Sequence, residues 1–258
     1  GASGAISLAT GDAEVSSGDI LVAAGSSASG SAGAVNMLAG GVGLDDQVVG
    51  GDAVVHSGRG ITSGDLDLAS ADASALSGSV RLASGSASEG ETGAVVIQSG
   101  EASIGRSGRI SLKAGASHGE AGQGGDVVIA AGDTFDTFDA SGGSVQISSG
   151  GYYSTVGLNR GRSASGDIDI TTPDGVRTGK SGAILVATGT SSAASTGGDL
   201  ALRTGANDFG PSGGLQIRVG NAFEDSGDIV IAGGAAVKDS GSVQLSSGIS
   251  SAGASGSV

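Results

Sequence analysis

The chain has 258 residues, of which 53 are Gly, two are Pro and none is Cys or Trp, and its formal net charge is −14. The lack of Cys excludes a disulfide framework and any Cys-ligated metal site. The strong acidity argues against nucleic acid or an anionic membrane surface as a partner, and no apolar run is long enough to span a bilayer. The composition leaves two classes, a flexible Gly/Ser/Ala linker and a repetitive β structure.

One eight-residue motif recurs from the first residues of the chain to the last. It reads Gly, any residue, an apolar residue, any residue, an apolar residue, two mostly small residues and a closing Gly, as in GDILVAAG (18–25) and GSVQLSSG (241–248). We number its positions 1 to 8 and call the residues between position 8 and the next leading Gly a loop. There are 16 complete repeats, spaced mostly 14 to 16 residues apart, with leading glycines at 4, 18, 33, 51, 64, 78, 93, 108, 125, 143, 166, 182, 198, 213, 227 and 241.

Positions 3 and 5 form an apolar pair in nearly every repeat. Of these 32 positions, all but Ala53 hold Val, Ile, Leu or Met. Large apolar residues at i and i+2 are typical of a strand with one buried face, and short strands at one period predict a solenoid in which neighbours bury each other. The sequence therefore predicts an all-β fold, a parallel β-solenoid (β-helix) of about 16 short-strand repeats with a period near 15 residues. Its core would include Ile20, Val22, Val80, Leu82, Val127, Ile129, Val145, Ile147, Ile229, Ile231, Val243 and Leu245.

Position 2 bears on how many repeats form one coil. From the ninth repeat onward, Asp126, Asp167, Asp199 and Asp228 alternate with small residues, which favours two strands per coil. The first half of the chain does not keep this alternation, so one strand per coil stays open. The chain begins and stops within the repeat register, and we expect residues 1–258 to be a single continuous array excerpted from a longer one.

These four aspartates are also candidate calcium ligands. On one edge of a two-strand coil they would stack about 5 Å apart, where like charges repel unless they are solvated or bridged by a cation. The simpler interpretation is that each Asp accepts hydrogen bonds from corner N–H groups and stays solvated. We favour the simpler interpretation, so no cofactor is expected and calcium is only a candidate.

Four of the six aromatic residues cluster in the two longest loops, together with two arginines. They are Phe135, Phe138, Tyr152 and Tyr153, with Arg160 and Arg162. Long loops with aromatics on a rigid support are suited to binding a partner or a glycan. Equally, the aromatic rings can fold over a corner and cover apolar core. Catalysis has little support, because the chain has only two His and no visible nucleophile–base pair.

The runs SGDILVAAG (17–25) and SGSVQLSSG (240–248) resemble repeats of long secreted surface proteins. Arrays of this kind are similar to those of filamentous-haemagglutinin-like bacterial adhesins, algal surface proteins and viral or phage fibres. The resemblance implies a β-solenoid, an extracellular or cell-surface location and a structural or adhesive role, and it transfers no active-site residue.

We therefore expect a non-enzymatic structural segment of an extracellular fibre, filament or surface coat that assembles with itself, end to end or laterally. The first alternative is an adhesive or glycan-binding module that uses the aromatic loops, and the second is a polysaccharide-processing β-helix enzyme. Neither nucleic acid nor a membrane span is expected.

Overall fold

The computed structural model describes residues 3–42, 49–118, 123–135, 141–151, 164–175, 179–191 and 196–258. Within these ranges the chain forms no helix and no strand. It divides into two units, Gly1–Val127 and Val128–Val258. Sharp bends lie in the loops, for example at residues 28–30, 88–90, 103–105 and 251–253. The repeat is thus visible as an alternation of unbent eight-residue segments and bent loops.

The prediction of an all-β parallel β-solenoid is wrong, because no sheet or coil of strands is present among the described residues. Where two consecutive segments come together, the contact is a single backbone hydrogen bond at the base of the loop between them. A ladder needs successive bonds along both strands, and one bond per loop does not build it. The hypothesis of a polysaccharide-processing β-helix enzyme depended on that fold and loses its basis.

No hydrophobic core is present in the described part of either unit. The solvent-accessible surface is 26435 Å², whereas a compact protein of this mass exposes about 10,000 Å². The reason lies in the composition: most repeats supply two large apolar side chains in the pair, and most residues around them are Gly, Ala, Ser or Thr. Side chains of that size form no second apolar layer against which the pairs can pack.

Two loop glycines have positive φ angles that side-chain-bearing residues rarely adopt. Gly90 has φ of 102° and Gly105 has φ of 98°. Both lie at the end of a bend, where the chain turns back towards the next leading glycine. Glycine reaches this conformation without the steric cost that a Cβ atom would impose.

Candidate functional site

Eight loops share one closure, which joins the two glycines that flank each of them. The N–H of the leading Gly donates a hydrogen bond to the carbonyl oxygen of the preceding closing Gly. The bond forms across loops of different length. It measures 3.1 Å across the short loop between Gly58 and Gly64, and 3.0 Å across the long loop between Gly150 and Gly166. The same bond closes the loops that end at Gly33, Gly51, Gly125, Gly143, Gly241 and Gly256. Each closed loop therefore presents its residues from a constant base, as an Ω-loop does.

Leading glycines have a steric role that closing glycines lack. A Cβ atom on Gly125 would lie 3.2 Å from the Cβ of Ala114, which is position 7 of the preceding repeat. A Cβ atom on the closing Gly115 would meet nothing within 4 Å. The position-7 residue lies against the leading glycine in the same way from Gly18 onward, with the exception of Gly213. The approach is tight, at 3.2–3.3 Å, for Gly33, Gly51, Gly125, Gly143, Gly182 and Gly241, and it is an ordinary van der Waals contact for the other leading glycines of this series.

The apolar pairs are presented to solvent, yet they keep a two-residue alternation. In the segment 227–234, Ile229 is 51% exposed, Val230 is 83% exposed and Ile231 is 71% exposed. The same order holds in 18–25, 125–132 and 182–189. Period-2 alternation places positions 3 and 5 on one side of the segment and position 4 on the other. Each segment thus has one apolar side that the described chain covers only in part.

The residues predicted to form the core are all at least half exposed. Their exposed fractions run from 50% at Ile20 to 78% at Leu245. The remaining members of this set are Val22, Val80, Leu82, Val127, Ile129, Val145, Ile147, Ile229, Ile231 and Val243. They form a repeated surface feature, where the sequence predicted an interior.

The opposite side of the segment carries polar groups in at least one repeat. The guanidinium Nη2 of Arg218 donates a hydrogen bond of 3.0 Å to Oε1 of Gln216. These residues occupy positions 6 and 4, so their contact requires both side chains to lie on the same side of the segment. Leu215 and Ile217 of the same repeat belong to the other side. The segment 213–220 is therefore amphipathic with a period of two.

The four candidate calcium ligands, Asp126, Asp167, Asp199 and Asp228, all lie exposed at position 2 of their repeats. Within the described ranges, no three His, Cys, Asp or Glu side chains come together in a group that could hold a metal ion. Asp126 and Asp167 follow directly on the leading glycines Gly125 and Gly166, which make the loop-closing bond. The calcium hypothesis stays a prediction of the sequence.

The predicted aromatic site falls mostly on residues that the structure does not describe. Phe138 lies outside the described ranges, as do Tyr152, Tyr153, Arg160 and Arg162. Phe135 is described and is 93% exposed. One hydrogen bond bridges its loop, from Oγ1 of Thr134 to the carbonyl oxygen of Ser141, at 2.9 Å. The described half of this loop therefore presents Phe135 to solvent.

A second aromatic loop, which the repeat pattern does not indicate, lies between Gly205 and Gly213. Asn207 organises it in two ways: its Oδ1 accepts a hydrogen bond of 3.1 Å from the N–H of Phe209, and its Nδ2 donates one of 3.1 Å to the carbonyl oxygen of Pro211. The Phe209 side chain is fully exposed at the tip. An asparagine two residues before a turn residue is the signal that identifies such a loop in the sequence.

Phe209 belongs to a wider set of large apolar residues that the loops expose. Each lies three to five residues after position 8 and is at least nine-tenths exposed. The set comprises Val15, Ile61, Leu76, Ile104, Phe135, Phe209, Phe223 and Val237. Their similar distance from position 8 is the sequence signal that identifies them.

We found no match to this chain among protein-family models, curated proteins or solved structures. The described part of the chain holds no helix with the length and hydropathy that a membrane crossing requires.

Proposed function

We propose that this chain is a non-enzymatic structural segment of an extracellular fibre, filament or surface coat, and that it assembles with copies of itself. The observation that carries the proposal is the apolar pair, which recurs in 15 of the 16 complete repeats, with Ala53 as the exception, and whose large side chains are all at least 48% exposed. Exposed apolar surface of this extent favours association, because covering it removes water from apolar groups. A second copy offers the same side chains at the same spacing.

The surface area supports association on a large scale. The chain exposes 26435 Å², about 16,000 Å² more than a compact protein of its mass. A stable protein–protein interface buries about 1,200–2,000 Å² in total. The excess surface of about 16,000 Å² is therefore much larger than one pairwise interface can cover. It favours an extended assembly over a dimer. The extracellular setting is supported by the resemblance of the repeats to secreted surface proteins.

Copies of the chain repel each other through their negative charge, so the dependence of assembly on salt tests the proposal. Each copy carries a formal net charge of −14, and salt screens such repulsion between exposed charges. We expect the sedimentation coefficient to rise with protein concentration, and to rise further when salt is added, with fibres or sheets visible by electron microscopy. A single monomeric species at every concentration and salt level would contradict the proposal.

A second candidate function is binding of a glycan or a partner surface through the aromatic loops. The observation in its favour is the loop between Gly205 and Gly213, where the two side-chain bonds of Asn207 hold an exposed Phe209 in place. An ordered loop loses less conformational entropy on binding than a mobile one. Aromatic rings provide large apolar faces that suit the C–H faces of sugars.

Substitutions in this loop test the second candidate. We expect Phe209→Ala to weaken binding on a glycan array by about two- to twelvefold, the range of an aromatic contact. Asn207→Ala should weaken glycan binding less, because the Phe209 ring is kept and only the two hydrogen bonds of the Asn207 side chain are lost. Val237→Ala is the control, since Val237 is an equally exposed aliphatic residue of another loop. If Phe209→Ala and Val237→Ala have the same effect, specific recognition by the aromatic loop is excluded.

A further inference from the structure

Two exceptions to the repeat occur in neighbouring repeats, 33–40 and 51–58. Ala53 is the one residue of the 32 apolar-pair positions that is not Val, Ile, Leu or Met. In the preceding repeat, position 5 is Met37, the single methionine of the chain, and position 6 is Leu38. No other repeat has a large aliphatic residue at position 6. The repeat 51–58 thus has a smaller side chain than the other repeats at position 3, whereas the repeat 33–40 has an additional large aliphatic side chain at position 6.

The structure brings these exceptions together around one cleft. Its walls are residues 37–39 of the first repeat and residues 52–55 of the second, and its volume is about 380 Å³. A hydrogen bond of 2.9 Å from the N–H of Gly51 to the carbonyl oxygen of Gly40 closes the loop directly beside both walls. This bond joins the two walls at one end of the cleft. Small-molecule sites in proteins occupy about 300–1,000 Å³, so the cleft has the size of a small ligand.

The chemistry of the walls limits what the cleft can bind. Met37, Val54 and Val55 offer flexible and branched aliphatic surface, and Ala53 leaves the space that a larger side chain fills in other repeats. A thioether side chain adapts to irregular apolar shapes. Asp52 lines the same cleft and supplies one carboxylate. The net charge of −14 also raises the local concentration of cations and lowers that of anions.

We propose that this cleft binds a small amphiphile with a short aliphatic body and one cationic group. The aliphatic body lies against Met37 and Val55 in the space beside Ala53, and the cation pairs with the carboxylate of Asp52. The inference rests on a different observation from self-assembly, although Met37 and Val55 are themselves members of apolar pairs and a second copy would compete with the ligand for them.

The single methionine makes a direct test possible. A chain labelled with ¹³C in the methionine methyl group gives one methyl resonance, which reports on Met37. We expect titration with decylammonium to shift this resonance along a saturable curve, and decyl sulfate to leave it largely unshifted. Ala53→Leu restores the consensus of the motif and fills the cleft, so the saturable shift should disappear. Asp52→Asn should weaken the binding by about two- to fivefold, the range for an exposed ion pair.

Matched controls separate the cleft from the general properties of the chain. Asp126→Asn removes the same charge from position 2 of a repeat that does not line the cleft, and Ala34→Leu adds the same volume at a nearby position outside its walls. Both should bind decylammonium as the unmodified chain does. A shift that does not saturate, or that survives Ala53→Leu, overturns the proposal. So does a Met37 shift that follows protein concentration alone, since a second copy then occupies the cleft.

Discussion

Replacing Gly233 by alanine should open the loop that ends at Gly241. A Cβ atom on Gly233 would overlap the carbonyl oxygen of Gly241, a backbone atom that cannot rotate away. The N–H of Gly241 donates the loop-closing bond of 3.0 Å to the carbonyl oxygen of Gly234, and the clash pushes these groups apart. Since such a bond contributes about 0.5–1.5 kcal/mol net, the closed fraction should fall by about two- to twelvefold. Hydrogen exchange of the Gly241 amide, followed by NMR, measures the change.

The neighbouring residue supplies the control for this experiment. A Cβ atom on Gly234 would meet nothing within 4 Å, and Gly234→Ala keeps the carbonyl group that accepts the bond. Both substitutions add one methyl group and reduce the freedom of the unfolded chain similarly. We therefore expect Gly234→Ala to leave the exchange of the Gly241 amide nearly unchanged. Equal effects of the two variants would show that the close approach of Gly233 to Gly241 does not govern the closure.

Replacing Ile147 by aspartate should weaken self-assembly strongly. Ile147 is position 5 of its repeat and is 69% exposed, so a partner copy has most of this side chain left to cover. Covering a whole Ile side chain contributes about 1.5–3 kcal/mol, and covering this exposed part about 1–2 kcal/mol. The association constant should therefore fall by about five- to thirtyfold, and further where the carboxylate is left unpaired in the contact. Sedimentation velocity across a concentration series measures the change.

The control substitution is Gln146→Asp, one residue earlier in the same segment. It adds the same negative charge, so it raises the general repulsion between copies equally. Position 4 lies on the other side of the segment, and no apolar surface of the pair is lost there. We expect only a small loss of association for Gln146→Asp. If the two variants assemble equally well, or are equally impaired, the apolar pairs are not the contact surface.

Much of the local structure was predictable from the sequence. The two-residue alternation that the sequence indicates at positions 3 and 5 is present as a difference in exposure, for example between Ile229 and Val230. The loops begin and end at the glycines that the motif marks, and Gly51 bonds to Gly40 across one of them. Local regularities of this kind depend only on residues close together in the sequence, so a single sequence is enough to predict them.

The candidate sites were less predictable. Phe135 was identified, but Phe209 was not, since its organisation depends on two hydrogen bonds of Asn207. The cleft beside Ala53 was also missed. Ala53 and Met37 stand out individually as exceptions to a pattern, but they are 16 residues apart and only the closure between Gly40 and Gly51 makes them neighbours.

The sequence by itself determined the period, the amphipathic segments and the positions where the chain turns. Only the tertiary structure decided whether the segments pair, and in the described ranges they do not. It also distinguished leading glycines such as Gly125, where a Cβ atom would make a tight contact, from closing glycines such as Gly115, where it would meet nothing. The physical reason is that periodicity specifies which side of a segment is apolar, whereas pairing requires a partner that covers that side. In the described ranges no apolar pair is buried, so no part of the described chain covers that side fully.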